Sequence, residues 1–176
     1  FSMVRFGNVL NSSGSVVPKF KSQIDQGGPI TLTDERITRY FMTVKEAAQL
    51  VIQAAELASG GEVFLIDMGE PIKIKYIAEQ MIRLSGLSIY SKDNTEGDIK
   101  IICTGLRPGE KLFEELLIDD NSSETLHPLI YKGYEKSLDS DFLWDNLNYL
   151  EISLKSQDII KSKEYLSKIV SEWRHS

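Results

Sequence analysis

The sequence predicts an α/β protein in which at least some of the strands pair in parallel. Short apolar runs that suit buried strands alternate along the chain with longer segments whose apolar residues recur every three or four positions. That second spacing is typical of a helix with one buried face. Apolar residues make up 41% of the 176 residues and charged residues 26%, a balance typical of a globular protein that buries a substantial core.

The first third of the chain contains two predicted strands and one predicted helix. Residues 1–6 are rich in strand formers. Because this strand begins with no lead-in, we expect the sequence to be a piece of a longer protein. A polar loop follows, and Pro18 in the first turn favours a helix over residues 16–26. Glycines and a proline at 27–29 end that helix, and residues 30–33 alternate as a short strand does.

The clearest helix signal runs from Thr43 to Ser59. Thr43 and Glu46 have the spacing of a capping box, in which each residue satisfies a backbone amide of the first turn. Gly60 and Gly61 then supply a left-handed stop. The remaining predicted elements are a strand at 63–66, a helix from Ile74 to Gly86, a strand at 99–103, and two helices at about 142–154 and 159–173.

Charge and cysteine content exclude several classes of function. Acidic residues outnumber basic residues 26 to 20, for a formal net charge of -6, so a general nucleic-acid or anionic-membrane surface is not expected. The single cysteine, Cys103, excludes an internal disulfide, and its apolar neighbours predict a buried, inert thiol. With two histidines, no metal site is predicted. No apolar run reaches the roughly 18 residues of a membrane span, and no secretory signal is visible, so we expect a soluble protein in a reducing compartment.

Three segments carry residue types that bind anions. In the first, Ser12, Ser13 and Ser15 with Gly14 lead into a predicted helix N-terminus. Free amides and the helix dipole at such a position favour a phosphate group. A polar loop that ends in a serine cap is the alternative explanation.

The second segment is the Arg-Pro-Gly-Glu run at 107–110. Pro-Gly makes a tight turn that presents its flanking residues, and arginine suits bidentate phosphate contact while glutamate can accept two ribose hydroxyls. An exposed turn with an Arg–Glu ion pair remains the alternative. In the third segment, Arg39 precedes two aromatic residues and could reach a cleft, although a surface arginine is the commoner outcome. All three segments favour an anionic ligand.

Five groups of residues occur in one consistent order, namely Val4–Leu10 with Ser12–Pro18, Gly28–Thr31, Ile37–Met42, Asp67–Pro71 and Thr104–Lys111. Together they resemble the bacterial polysaccharide-biosynthesis branch of the extended short-chain dehydrogenases. These are the nucleotide-sugar 4,6-dehydratases, which typically act on UDP-N-acetylglucosamine. The resemblance covers residues 1–128 and continues more loosely to Trp173. It implies the C-terminal half of a Rossmann-like fold: the last core strands, a small substrate-binding lobe and C-terminal helices.

The resemblance also implies a domain organisation and a set of binding residues. Residues 1–128 would be the substrate-binding portion and 129–176 a helical extension of the same domain, with the N-terminal cofactor-binding half absent. Asn8 would lie beside the sugar and the nicotinamide of NAD or NADP, and Val9 near that cofactor. The other residues implied to contact a UDP-sugar are Ser13 and Val17 at the pocket border, Thr31 at the base, Arg39 and Arg107 at the diphosphate, and Glu110 at the ribose.

The catalytic machinery of that family does not occur in this sequence. It has no Gly-x-Gly-x-x-Gly loop, and no tyrosine has a lysine four residues further on. We therefore predict no catalytic residues, no metal, no cofactor bound to this chain alone and no activity by itself. Asn11 stands where the family usually has glycine, and asparagine is the least costly replacement if that position has a positive φ.

Two other functions stay open. An epimerase or reductase of the same superfamily would share the diphosphate grip, and a non-catalytic nucleotide-binding or interaction module would need no acid/base residues. We expect a homo-oligomer, because a parallel sheet cut at its edge exposes backbone groups and apolar faces. The resemblance implies a cytoplasmic location, at the cytoplasmic face of the inner membrane if membrane helices precede the enzymatic portion.

Overall fold

The computed structural model describes residues 1–12, 14–114, 122–134 and 137–170. The chain divides into two compact units, Phe1–Tyr134 and Glu135–Ser176. Two residues that carry predictions, Ser13 and Trp173, lie outside the described residues. No helix in the described ranges is long and apolar enough to cross a membrane.

The first unit alternates strands and helices over its described length. Its elements are β1 (Met3–Arg5), β2 (Asn8–Val9), α1 (Val16–Asp25), β3 (Ile30–Leu32), β4 (Thr38–Arg39), β5 (Phe41–Met42), α2 (Val44–Leu57), β6 (Val63–Ile66), β7 (Ile72–Lys73), α3 (Ile74–Leu84), β8 (Ile89–Tyr90), β9 (Ile99–Cys103), β10 (Ser122–Glu124) and β11 (Ile130–Gly133).

Parallel and antiparallel pairing coexist in the first unit. One sheet has the order β1-β6-β11-β10, in which β1 and β6 are parallel and the other two pairs are antiparallel. A second sheet, β3-β9-β8, is parallel throughout. Two further sheets have two short strands each: β2 and β5 are parallel, and β4 and β7 are antiparallel. The predicted α/β class with partial parallel pairing is confirmed.

Two apolar cores hold the first unit together. One lies where α1 and α3 cover the parallel sheet β3-β9-β8, and its buried residues are Phe20, Ile24, Ile30, Leu32, Ala78, Ile82 and Ile99. The other lies between α2 and strands β5, β6 and β11, with Met42, Ala47, Leu50, Ala54, Phe64, Ile66 and Ile130 buried. In both cores, helix residues three, four or seven apart supply one buried face, as the apolar spacing predicts.

Local signals explain where the helices begin and the chain turns. The capping box at α2 is present, because the Thr43 amide donates to Glu46 Oε2 at 2.7 Å and the Glu46 amide donates to Thr43 Oγ1 at 3.2 Å. Gly60 and Gly61 have positive φ after this helix. Asn11 has a φ of 61°, which accounts for the asparagine found where glycine is usual.

The prediction of a buried Cys103 is wrong, because the thiol is exposed. Strand β9 has β8 as a neighbour only at Ile99 and Lys100. At its carboxyl end it pairs with β3 alone. Cys103 therefore ends a strand with an uncovered side, and the apolar residues before it do not determine its exposure.

The second unit contains α4 (Ser140–Lys155) and α5 (Ile159–Ile169) in its described residues. Both helices begin at an aspartate cap, since Asp139 accepts from the Phe142 amide at 3.0 Å and Asp158 accepts from the Lys161 amide at 3.1 Å. Gln157, in the connection between them, has a φ of 57°. These aspartates are the N-terminal caps that the predicted late helices require.

Candidate functional site

The carboxyl ends of β3 and β9 lie side by side because the two strands are parallel neighbours. The amide and the hydroxyl of Thr104 both donate to the Leu32 carbonyl, at 2.8 and 3.1 Å. One residue further from the sheet, the Thr33 hydroxyl donates to Glu110 Oε1 at 2.9 Å. The turn at 107–110 is thereby held over the end of β3, the edge of a parallel sheet where ligands bind.

A cavity of about 480 Å³ opens at this edge, a volume that suits a small-molecule ligand. Its lining brings together six of the predicted site residues, namely Asn8, Val9, Thr31, Arg39, Arg107 and Glu110. Val17 is not in the lining. Val16, Lys19 and Phe20 lie on the face of α1 that borders the cavity, and successive residues of a helix are about 100° apart, so Val17 lies on another face. Ser13 lies outside the described residues.

The N-terminus of α1 borders the cavity through Ser15, Val16 and Lys19. Ser15 is the N-cap with an extended backbone, and its side chain makes no capping hydrogen bond. First-turn amides and the helix dipole give this end a partial positive charge, to which Lys19 adds a full one. The sequence analysis did not name Lys19 as a site residue. Its spacing of four and three residues from Ser15 and Val16 places it on the same helix face as those two residues, and that spacing could have identified it.

Thr31 is held by the side chain of Gln23 on α1. Gln23 Nε2 donates to Thr31 Oγ1 at 2.8 Å, and the Thr31 amide donates to Gln23 Oε1 at 3.1 Å. Because the Thr31 hydroxyl accepts from Gln23, its own hydrogen remains to be donated. The cavity lining thus contains an oriented hydroxyl donor at Thr31, and its orientation depends on Gln23.

Glu110 is an ionised acceptor at the turn. Its Oε2 accepts from the Arg107 amide at 3.1 Å, and its own amide donates to the Arg107 carbonyl at 3.0 Å. The hydrogen bond from the Arg107 amide is the main cause that lowers the pKa of Glu110, and the charges of Arg107 and Arg39 lower it further. A carboxylate in this state accepts hydroxyl donors at neutral pH.

The two arginines of the cavity differ in their surroundings. The Arg39 side chain is 16% exposed and forms an ion pair with Glu114. Arg107 is exposed, and within the described ranges its guanidinium has no hydrogen-bonding partner. The turn is held by two hydrogen bonds of the Arg107 backbone, one to the Glu110 carboxylate and one from the Glu110 amide, rather than by an ion pair of the two side chains. Arg36 lies outside the cavity lining, but its partner Asp34, 2.8 Å away, belongs to that lining. The hydrogen bonds from Arg36 lower the pKa of Asp34 to about 2.

The described residues include no group of histidine, cysteine or acidic side chains that could hold a metal ion. Asn8 and Val9 present one amide and one small apolar side chain at the cavity. These two residues fit contact with one end of a nicotinamide dinucleotide. They do not supply the glycine-rich loop that holds its pyrophosphate.

Parallel strands that end beneath the 107–110 turn and a helix N-terminus fit part of an extended short-chain dehydrogenase fold. A solved structure supports this class: the chain is 38% identical to Pen from Bacillus thuringiensis with a TM-score of 0.61, over 75% of this chain and 38% of that one. Residues 1–135 match the family described as polysaccharide biosynthesis protein. The chain belongs to that family, which confirms the resemblance seen in its motifs.

Three named proteins are similar to this chain in sequence. The chain is 50% identical to the capsular polysaccharide biosynthesis protein CapD of Staphylococcus aureus, over 97% of this chain and 26% of CapD. It is 36% identical to an inverting UDP-N-acetylglucosamine 4,6-dehydratase of Campylobacter jejuni, over 71% of this chain and 33% of the dehydratase. It is 30% identical to a UDP-glucose 4-epimerase of Rickettsia rickettsii, over 69% and 33%. The chain thus spans between a quarter and a third of these relatives.

Proposed function

We propose that this chain is the substrate-binding portion of a nucleotide-sugar 4,6-dehydratase that converts UDP-N-acetylglucosamine to a UDP-4-keto-6-deoxy sugar in polysaccharide biosynthesis. The observation that carries the proposal is the cavity at the ends of β3 and β9. It combines the guanidinium of Arg107, which has no partner among the described residues, with the ionised Glu110 and the N-terminus of α1. Such a set suits a ligand with both a diphosphate and a ribose.

The charges and hydrogen-bonding groups of the cavity match successive parts of a UDP-sugar. Arg107 can offer a bidentate fork to a diphosphate, and Arg39 adds a second positive charge at the same cavity. Glu110 can accept ribose hydroxyls, and the oriented hydroxyl of Thr31 can donate to a carbonyl of the base. Asn8 then lies at the sugar end, where it could also contact the nicotinamide. Ser13 and Val17 remain proposed only as residues at the border of this pocket.

The chemistry of a 4,6-dehydratase requires more than these residues. When bound, NAD or NADP would supply the hydride chemistry that a 4,6-dehydratase needs at C4 and C6 of the sugar, and Asn8 and Val9 would contact its nicotinamide end. The part played by this chain is to bind and orient the UDP-sugar. Because the sequence has no Tyr-x-x-x-Lys pair and no glycine-rich loop, we expect it to bind nucleotide without turnover. We also expect homo-oligomers, because β1 is an edge strand with an exposed apolar residue, Met3.

An epimerase of the same superfamily is the second candidate, since the Rickettsia relative is named as one. A dehydratase and an epimerase share the demand for a UDP-sugar, so the cavity suits both. They differ in the acid/base residues that act on the sugar. An activity assay of a longer chain that contains those residues would distinguish loss of water from inversion at C4.

Ligand-detected NMR with UDP and UDP-N-acetylglucosamine tests the proposed binding site. Arg107→Ala should weaken UDP binding by about 1.5–3 kcal/mol, typical of a lost hydrogen bond to a charged group. Arg83→Ala is the matched control, because this arginine is exposed in the last turn of α3 and lies outside the cavity lining. Equal affinities of the wild-type chain and Arg107→Ala would reject the diphosphate role, and no binding by the folded wild-type chain would reject the site.

A further inference from the structure

The guanidinium of Arg39 is occupied by the chain that follows Glu110. Its Nη1 donates to the carbonyls of Thr38 at 2.8 Å and Leu112 at 3.3 Å, and its Nη2 donates to the carbonyl of Lys111 at 2.7 Å. Its Nε lies 3.2 Å from Glu114 Oε2. These four contacts engage four of the five N–H groups of an arginine.

A bidentate grip on a phosphate needs two parallel N–H groups of one guanidinium. Arg39 could offer that pair only by releasing a carbonyl of Lys111 or Leu112, or by giving up Glu114. Arg107 could offer it without breaking any contact within the described residues. Although both arginines line the same cavity, their chemical situations are therefore different.

The contacts of Arg39 stabilise the position of the turn at 107–110. The Leu112 carbonyl accepts from both the Thr38 amide, at 3.2 Å, and the Arg39 side chain. Residues 111 and 112 are thus fastened to β4 directly after Glu110, while Thr33 holds the Glu110 carboxylate from β3. Fixing the chain on both sides of the Glu110 side chain fixes the direction in which the turn presents its acceptor and Arg107.

We propose that Arg39 and Glu114 are positioning residues that brace the 107–112 segment against β4. Glu114 is not in the cavity lining, and its side chain is 43% exposed. It orients the Arg39 guanidinium, which in turn holds the carbonyls of residues 111 and 112. The inference rests on the proposed function, because it assigns to this brace the geometry of the ribose and diphosphate contacts.

A simple charge argument predicts the opposite effect for Glu114. If this carboxylate merely competed with a phosphate for Arg39, its removal would free the arginine, raise the local positive potential and strengthen UDP binding. If it braces the segment, its removal weakens binding even though a negative charge has gone. The sign of the change therefore separates the two roles.

Uridine and UDP as paired ligands in NMR titrations of the chain test the brace, because uridine has no phosphate. For Glu114→Gln we expect UDP affinity to fall about threefold to tenfold, the range of one lost hydrogen bond. Uridine affinity should fall at least as much. Arg39→Lys keeps the charge, but its three donors on one nitrogen cannot replace a planar fork that bonds three carbonyls and Glu114. It should lower both affinities about tenfold or more.

Two variants provide the reference patterns for these titrations. Arg107→Ala should lower UDP affinity and leave uridine affinity unchanged, and Arg83→Lys, at an exposed arginine outside the cavity lining, should change neither. Unchanged or increased UDP affinity of Glu114→Gln would overturn the brace. So would an Arg39→Lys chain that loses UDP affinity but keeps uridine affinity, since that is the pattern of a direct phosphate contact.

Amide hydrogen exchange of the ligand-free chain tests the brace without any nucleotide. The Thr38 amide, bonded to the Leu112 carbonyl, should exchange faster in Glu114→Gln and in Arg39→Lys. The Asn8 amide, bonded to the Tyr40 carbonyl at 2.9 Å, serves as the reference and should not change. Unaltered Thr38 exchange in both variants would refute the brace. Failure of the wild-type chain to bind UDP or uridine would refute the proposed function and leave this exchange measurement to decide the brace.

Discussion

In the first unit the least exposed side chains are aliphatic and aromatic, whereas in the second unit they are polar. Phe20, Phe64 and Ile82 are at most 2% exposed in the first unit. In the described part of the second unit, the buried residues are Asn146 and Ser153. Many of its large apolar side chains lie at the surface, including Trp144, Ile152, Leu154, Ile159 and Ile160, and others such as Leu150 and Leu166 are half-buried.

Different interactions join the helices of the second unit. The hydroxyls of Ser153 and Ser162 lie 2.9 Å apart, and the rings of Tyr149 and Tyr165 stack with centroids 5.4 Å apart. Asn146 donates to the Phe142 carbonyl one turn earlier, at 2.8 Å. Hydrogen bonds of this kind contribute little net free energy compared with apolar burial. The comparison teaches that amphipathic helices alone do not make an apolar core, because they also need an opposing apolar surface.

The largest expected effect is the loss of an apolar side chain from the first unit. Ile82→Ala, at a position with 0% exposure, should lower the free energy of unfolding by about 2–5 kcal/mol. Ile160→Ala in α5 is the matched control at 82% exposure and should change it by less than about 0.5 kcal/mol. Urea unfolding of both variants measures the difference. Similar losses in both would contradict the comparison.

Glu62 is an exception to the apolar burial of the first unit, because its charged side chain is only 6% exposed. The Ser2 hydroxyl and the amides of Gly60 and Ser59 donate to it, at 2.7, 2.7 and 3.1 Å, and Lys132 lies 3.6 Å away. Led by the bond from Ser2, these donors lower the pKa of Glu62 from its ordinary 4.5 to about 2.

This shift predicts how the stability of the chain depends on pH. A carboxyl whose pKa is lower in the folded state stabilises the fold above its ordinary pKa, and that contribution disappears as the pH falls towards 2. Glu62→Gln should lower the melting temperature near pH 7, by less than Ile82→Ala does. It should also reduce the fall in melting temperature between pH 5 and 2.5, relative to wild type. Parallel pH profiles of the two chains would show that Glu62 does not contribute as described.

The smallest effect is expected at the hydroxyl pair of the second unit. Ser153→Ala should destabilise the packing of α4 on α5 by about 0.5–1.5 kcal/mol, because Ser162 loses the partner on the other helix and keeps only the Asp158 carbonyl of its own helix. The double variant Ser153→Ala with Ser162→Ala should be less destabilised than the sum of the single variants. Hydrogen exchange of α5 amides measures this locally. Strictly additive effects would mean that the two hydroxyls do not stabilise each other.

Local signals in the sequence were sufficient to predict most helices and several strands. The strands at 63–66 and 99–103 have their predicted bounds, and α2 begins at its predicted capping box. The spacing of apolar residues, the caps and the glycines act within one or two turns of chain. Signals of this local kind also identified the 107–110 turn as a candidate site, whereas Thr31 was implied by the family resemblance.

Long-range contacts decided the features that the sequence did not predict. No local pattern specifies the pairing of β4 with β7 or the contact of Arg39 with residues 111–114, because each joins segments far apart in the sequence. The exposure of Cys103 likewise depends on which strands lie beside it. An arginine has the same sequence signature whether its fork is open or satisfied by carbonyls 72 residues away. The amino-acid sequence by itself determined the elements and the residue types of the site. Only the tertiary structure decided which of those side chains remain available to a ligand, because availability depends on partners brought together by folding.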